Sequence, residues 1–252
     1  MATPLPWSHS ILERFNTCPR QLEEMNVLKN FQDSKNSAST WGDEVHKVFE
    51  RYIRIAHPLV QQYGYDLAVS SAAVRETLPP TMSMYEGYLK QFVTRPGQML
   101  VEQKYAINRA LQPCDFFDAD VWGRGIIDVL TINGALADVD DHKTGKRKVD
   151  MQQLIIFAVL TFYHHPAVLC VRTRFHWIKT GEVDERIFFR HQLEEMWTGW
   201  PKDATREAWE GLVPRLEKYA RAFRIGVFNP KKSGLCRQYC PVKSCEYNGV
   251  TR

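Results

Sequence analysis

The stretch from Gly125 to Lys146 limits the possible fold more than any other. Ile126 to Ile132 and Ala135 to Asp141 flank Asn133-Gly134, a dipeptide that accepts positive φ at both central positions of a two-residue hairpin turn. With the turn centred there, Ile132 pairs with Ala135, Leu130 with Ala137, Asp128 with Val139 and Ile126 with Asp141, because antiparallel partners step away from a turn in opposite directions. Alternation then puts Asp128, Asp141 and Lys143 on one face, and Asp138, Asp140 and His142 on the other. Asp128 and Asp141 become diagonal neighbours roughly 7–8 Å apart, a gap that one shared cation bridges. Two carboxylates on an apolar strand face are costly to bury unless a cation or hydrogen bonds compensate them. A bound metal is one reading of this pattern; a solvated sheet edge, where Asp and Lys face water, is the other.

The rest of the chain supplies elements to pack on that hairpin. Its 252 residues, 44% of them hydrophobic, bury a core without disulfide staples. The expected organisation is a single domain over 1–252, with a mainly helical part at 1–97, a sheet and helix carrying the chemistry at 98–190, and a helical end at 191–252. Ser8 is positioned to cap a first helix through Ile11, Leu12 and Phe15, and Cys18-Pro19 breaks it before a second helical stretch. Gln32 to Thr40 is polar and reads as a loop, and Trp41 to Ala56 as a helix with Val45, Val48, Phe49, Tyr52 and Ile53 on its apolar stripe. His46 and Glu50 then share one helical face.

Pro79-Pro80 interrupts the following helical signal, and Thr81 to Phe92 resumes it. Met99 to Ile107 reads as a strand that carries Glu102. After the hairpin, Val149 to Phe162 reads as an apolar helix in which Gln153 is the polar exception. Ala167 to Ile178 and Glu182 to Arg190 read as two further strands, and Leu193 to Phe223 as amphipathic helix broken near Pro201 and Pro214.

Charge and cysteine usage narrow the function class. A net charge of +4 permits binding to a polyanion without demanding it. Lys143, Lys146, Arg147 and Lys148, with Arg172 and Arg174 on a later strand, are the basic residues expected around the hairpin. There is no apolar run long enough to cross a membrane and no secretory leader pattern, so an intracellular, cytoplasmic protein is expected. Cys236, Cys240 and Cys245 form a compact trio, and Cys18 supplies a fourth thiolate from the other end of the chain. Four cysteines suit zinc or an iron-sulfur cluster, and a reduced trio without metal is the plainer alternative. Cys114 and Cys170 read as ordinary small residues.

Gly125-x-x-Asp128 followed by Asp141-His142-Lys143-Thr144-Gly145-Lys146 resembles the RecB-like nucleases of the PD-(D/E)XK superfamily. That family also carries Gly-x-x-x-His on an early helix, a glutamate on the strand before the hairpin and Gln-x-x-x-Tyr on the helix after it. Gly42 with His46, Glu102, and Gln153 with Phe157 match these positions. His142 and Phe157 stand where the family often has tyrosine. The four cysteines resemble those of the iron-sulfur members, such as the CRISPR-adaptation nucleases and AddB, although the gaps within the trio differ.

The resemblance implies an α/β fold: a restriction-endonuclease-like core with a central mixed β-sheet flanked by helices, a helical N-terminal part and a C-terminal cysteine knot. It implies hydrolysis of DNA phosphodiester bonds with Mg2+ or Mn2+ held by His46, Asp128, Asp141 and the backbone carbonyl of His142, with Glu102, Lys143 and Gln153 completing the catalytic set. It implies a 4Fe-4S cluster, with Zn2+ as the alternative, on Cys18, Cys236, Cys240 and Cys245. Expected partners are DNA, as single strands or ends, and a helicase or recombination protein. A catalytically silent module that binds nucleic acid or a helicase is the competing expectation.

Overall fold

The computed structural model describes residues 3–33, 37–148, 150–204 and 207–249. A helix α1 (His9–Thr17) is capped by the Ser8 hydroxyl and followed by a short turn of helix from Pro19. Two longer elements come next, α2 (Ser37–Tyr63) and α3 (Glu86–Val93). The sheet strands are β1 (Gln98–Asn108), β2 (Pro113–Cys114), β3 (Val121–Asn133) and β4 (Leu136–Lys143), then β5 (Cys170–Trp177) and β6 (Glu182–Phe189). Helix α4 (Met151–His164) connects β4 to β5, and α5 (Leu212–Ile225) packs near the end of the chain. No described helix is long and apolar enough to cross a membrane.

The six strands lie in the order β2-β1-β3-β4-β5-β6. All neighbours are antiparallel except β4 and β5, which run parallel. A parallel pair needs a crossover, and α4 is that crossover. Its all-round apolar sequence, from Leu154 to Phe162, is buried against one face of the sheet with Leu130, Val139, Val171 and Phe175. Helices α2 and α3 cover the other face with Phe49, Tyr52, Leu89 and Phe92 around Val129. The sheet is therefore mixed and flanked by helices on both sides, the arrangement of a restriction-endonuclease-like α/β fold.

The hairpin forms where expected but in a different register. Asn133 pairs with Leu136, Ile132 with Ala137, Leu130 with Val139 and Val129 with Asp140. The turn residues are thus Gly134-Ala135, with Gly134 at φ +59° in the first central position, where a glycine is favoured for a turn of the II′ kind. The expected pairing is displaced by two residues, an even shift that leaves the faces unchanged. Its consequence is local: continuing the observed register sets Asp128 opposite Asp141 instead of diagonal to it.

One irregularity falls at the position that matters most. On β3, Leu130 packs toward α4 and Val129 toward α2, yet Ile127 also packs toward α4. On β1, Val101 packs toward α2 while Tyr105 packs toward α4. Strict alternation forbids both patterns. The register is the same on either side, with Val101 opposite Val129 and Gln103 opposite Ile127, so both strands change face at Glu102 and Asp128. Glu102 adopts φ +51° to do so, a conformation that costs a non-glycine residue on the order of 1–3 kcal/mol.

Several boundaries differ from the sequence reading for identifiable reasons. Helix α2 begins within the expected Gln32–Thr40 loop and runs through Pro58 to Tyr63, because burial of Ala56 and Val60 outweighs one lost backbone hydrogen bond. Residues 34–36 of that loop, and Val149, lie outside the described residues. The expected Thr81–Phe92 helix starts as a 3-10 turn, Pro80–Tyr85, before α3. Pro214 does not break its helix; it sits in the first turn of α5, where its missing N–H has no intrahelical partner to lose.

The start of the chain is locked to the sheet through a glycine. Trp7 N–H donates to the Trp122 carbonyl at 2.9 Å, and Arg124 N–H donates to the Trp7 carbonyl at 2.9 Å. A Cβ at Gly123 would lie 2.2 Å from Trp7 Cζ2. Gly123→Ala is therefore expected to displace the Trp7 ring and lower stability by about 1–3 kcal/mol, readable as a lower denaturant midpoint with an unchanged slope.

Candidate active site

Four elements converge on one small volume. Helix α2 supplies His46, β1 supplies Glu102, β3 supplies Asp128, and β4 supplies Asp141 and Lys143. Helix α4 adds Gln153 from its first turn, whose start is set by the Asp150 cap. Helix α2 comes close to the exit of β4 because residue 42 is glycine: a Cβ there would meet Thr144 Oγ1 at 2.7 Å. His46, one turn later, is thereby brought to 3.3 Å from Asp128 Oδ2.

The remaining contacts form a chain. His142 N–H donates to Asp128 Oδ2 at 2.7 Å. Lys143 Nζ lies 2.7 Å from Asp141 Oδ2 and donates to Gln153 Oε1 at 2.8 Å. Gln153 Nε2 in turn donates to Asp141 Oδ1 at 3.1 Å. Gln153 thus reads both the lysine and the carboxylate. The Phe157 side chain, in the position of the family's tyrosine, lies in the core.

Crowding three carboxylates in a desolvated place perturbs them strongly. Burial, with the charges of Asp128 and Glu50, pushes Glu102 up to about 7. Burial also pushes Asp141 up to about 6, with Asp128 adding to the rise and Lys143 opposing it. Burial disfavours charge on His46, but its hydrogen bond to Asp128 and the nearby carboxylates prevail and raise it to about 9. Asp128 is buried too, and its contact with His46 holds it below the usual carboxylate range. The cluster attracts positive charge from protons, and a cation would serve the same need.

The donor set fits such a cation. Ligand atoms of His46, Glu102 and Asp128 all lie within 4.8 Å of one another. Asp141 Oδ2 is buried without a hydrogen bond of good geometry, despite its proximity to Lys143. Carboxylate oxygens with one imidazole suit Mg2+ or Mn2+. Glu102, expected only nearby, is here a member of the tightest group, and Asp141 stands next to that group.

His142 lies on the face that strand alternation gives it. Its ring lies on the opposite face of β4, where the Tyr88 hydroxyl and Nδ1 are 2.7 Å apart and Phe49 and Phe92 pack edge-on. Burial lowers its pKa to about 4. The imidazole is no ligand of the cluster, and only its main chain meets Asp128.

The expected basic surround is also different. Arg172 binds Asp138, and Arg174 binds Asp138, Asp140 and Glu185. Arg147 forms a two-pronged contact with Asp184 and reaches Glu182. These arginines neutralise local carboxylates, so they are not free phosphate contacts. Asp140 is the hub that sequence reasoning missed: it is fully buried among Arg95, Arg174 and His176, and although burial works the other way, His176 and Arg95 hold its carboxyl below the usual range. The acidic run Asp138 to Asp141 was visible, but its partners come from α3's exit and β5.

Outside the carboxylate cluster, Cys18, Cys236, Cys240 and Cys245 line one cavity. None of the four is paired in a disulfide. Backbone N–H groups of Lys231 and Ser233 donate to Cys18 Sγ and Cys236 Sγ, each at 3.4 Å. Burial and the three neighbouring cysteines push the Cys240 thiol up. Cys114 and Cys170 lie apart from them, in β2 and β5.

Comparison with known proteins adds the following. A family model described as the PD-(D/E)XK nuclease superfamily matches residues 6–245. Among solved structures, a Eubacterium rectale protein described as a candidate exonuclease aligns with a TM-score of 0.44 at 14% identity, over 98% of this chain and 89% of that one. The protein SSO0001 aligns with a TM-score of 0.38 at 11% identity, over 100% of this chain and 90% of that one. No curated protein gives a significant match.

The close approach at Gly42 makes the site sensitive to helix spacing. Gly42→Leu is expected to push α2 away from Thr144 and draw His46 from Asp128. Calorimetric titration should then show Mn2+ affinity reduced about tenfold, the equivalent of about 1.4 kcal/mol, with the circular dichroism spectrum unchanged.

Proposed function

The chain belongs to the PD-(D/E)XK nuclease superfamily, and from that premise we propose that it hydrolyses DNA phosphodiester bonds, acting on single strands or ends. The observation that carries this reading is the Asp141–Lys143–Gln153 chain set against the His46, Glu102 and Asp128 group. Superfamily members use divalent metals; here His46, Glu102, Asp128 and Asp141 would hold Mg2+ or Mn2+. Such an ion supplies charge neutralisation at the phosphate and a lowered pKa for bound water.

The chain's own residues do the remaining work. Lys143 presents an ammonium whose position is set by two partners, Asp141 and Gln153, so it is oriented before substrate arrives. An ammonium fixed in this way orients an attacking water and stabilises charge that develops on the phosphoryl oxygens. Gln153 is a positioning residue, since it touches Lys143 and Asp141 together. The strained backbone at Glu102 holds a carboxylate against Asp128 that ordinary strand geometry would direct elsewhere.

We also propose that the four cysteines hold a 4Fe-4S cluster, with zinc as the alternative. Their common cavity and the two backbone N–H groups aimed at sulfur support a bound thiolate cluster. Its place would be structural, joining the chain's first helix to its end. Roles in recombination, repair, phage replication or CRISPR-type processing, with a helicase or recombination partner, are consistent with the family likeness.

Cleavage of end-labelled single- and double-stranded DNA with Mg2+ or Mn2+ tests the main reading. Asp141→Ala and Lys143→Ala are each expected to lose at least about a hundredfold in rate while retaining the fold, and the product ladder gives polarity. A folded, metal-loaded wild type that binds DNA and cuts neither substrate would favour the silent binding module instead. For the cysteines, anaerobically purified protein should show broad visible absorbance that disappears in Cys18→Ser; a colourless protein with stoichiometric zinc decides for the alternative.

A further inference from the structure

We propose that His9, Glu13 and Asp150 form a second divalent-cation site, separate from the catalytic cluster, which clamps α1 to the start of α4. His9 and Glu13 lie one turn apart on α1 and project from the same face. Asp150 caps α4, its Oδ1 accepting from the Gln152 N–H at 3.0 Å. One ligand atom from each of the three lies within 4.8 Å of the other two. His9 Nε2 is 2.9 Å from Asp150 Oδ2, close to the roughly 3.3 Å edge of a tetrahedron built on metal bonds of about 2.0 Å.

The plainer roles of these residues leave one of them unexplained. A helix cap needs only Asp150, and a histidine–carboxylate pair needs only His9 beside it. Glu13 converges on the same point without serving either. Its own partner is Lys148 Nζ at 2.7 Å, on a side chain 72% exposed, and an ion pair of that kind contributes little. A cation would take the place of the ammonium and of the shared His9 proton. Arg215 and Lys231 border the same cavity but are engaged with Gln152 and the Asn16 carbonyl. All three proposed ligands are partly exposed, which leaves an entry path from solvent.

One imidazole with two carboxylates suits Mn2+, Zn2+ or Co2+. The site's position gives it a consequence. Gln153 follows Asp150 by three residues and bonds both Asp141 and Lys143, so a cation that clamps the first turn of α4 restrains that amide. The inference does not depend on the nuclease reading, because the ligands belong to α1 and the α4 cap.

Mn2+ titration followed by electron paramagnetic resonance tests it on the full chain. Protein carrying Glu102→Gln and Asp128→Asn, which disable the catalytic cluster, is expected to bind one equivalent. Its Tm should rise by about 5–10 °C at a hundredfold excess over Kd. Adding His9→Ala should abolish that binding. Adding Asp150→Asn, which keeps a helix-capping side chain, should weaken it at least tenfold. In wild-type protein, His9→Ala should remove one equivalent and leave the catalytic one, whereas failure of the catalytic-site reading would remove the equivalent that survives His9→Ala. No bound Mn2+ in the catalytic-cluster variant, an equivalent that persists through His9→Ala, or an unchanged wild-type stoichiometry in His9→Ala would overturn the proposal.

Discussion

Mutual repulsion among Glu102, Asp128 and Asp141 is the constraint on which the rest of the structure depends. Three carboxylates in a desolvated cleft cannot all remain charged without compensation. The fold meets this with two cationic groups on separate elements, His46 on α2 and Lys143 on β4. Neither is placed by its own element alone. His46 requires Gly42 to admit the helix beside Thr144, and Lys143 requires Gln153 from the crossover helix. The parallel β4–β5 pair makes that crossover obligatory, so sheet topology and site chemistry are one problem.

The opposite face of β4 bears a second charge system. Asp138 and Asp140 lie there with Arg172, Arg174, Arg95 and His176. Buried charges are costly unless each is paired; here the carboxylates are satisfied by arginine and histidine from neighbouring elements. His142 belongs to this face through Tyr88, while its main-chain N–H serves Asp128 on the other. One residue thus links the supporting network to the candidate site. The arginines that seemed available for nucleic acid are the ones this network consumes.

The hairpin shows where reading from sequence stops. Asn133-Gly134 marked the turn, and the turn is there, displaced by one residue because Gly134 occupies its first central position. Alternating residue types cannot distinguish pairings displaced by two, since every side chain keeps its face. The observed pairing is the one that puts Gly134, at positive φ, in the first central position of the turn. The switch of face at Glu102 and Asp128 was hidden for a related reason: a glutamate at positive φ carries no local signal. Only the surrounding sheet can hold it there.

The sequence by itself determined the alternation of elements, the apolar crossover helix, and the residue types able to bind a cation or thiolate-bound metal. These are local properties: periodicity, turn chemistry and motif spacing act within a few residues of each other. Tertiary structure alone decided that Glu102 meets Asp128 head-on, and that Arg172 and Arg174 neutralise carboxylates. It also decided that His9 and Glu13 arrive beside Asp150, 141 residues from His9 in the chain. Each of these outcomes depends on the direction in which a side chain points after two distant elements pack, and that direction is set by the core between them.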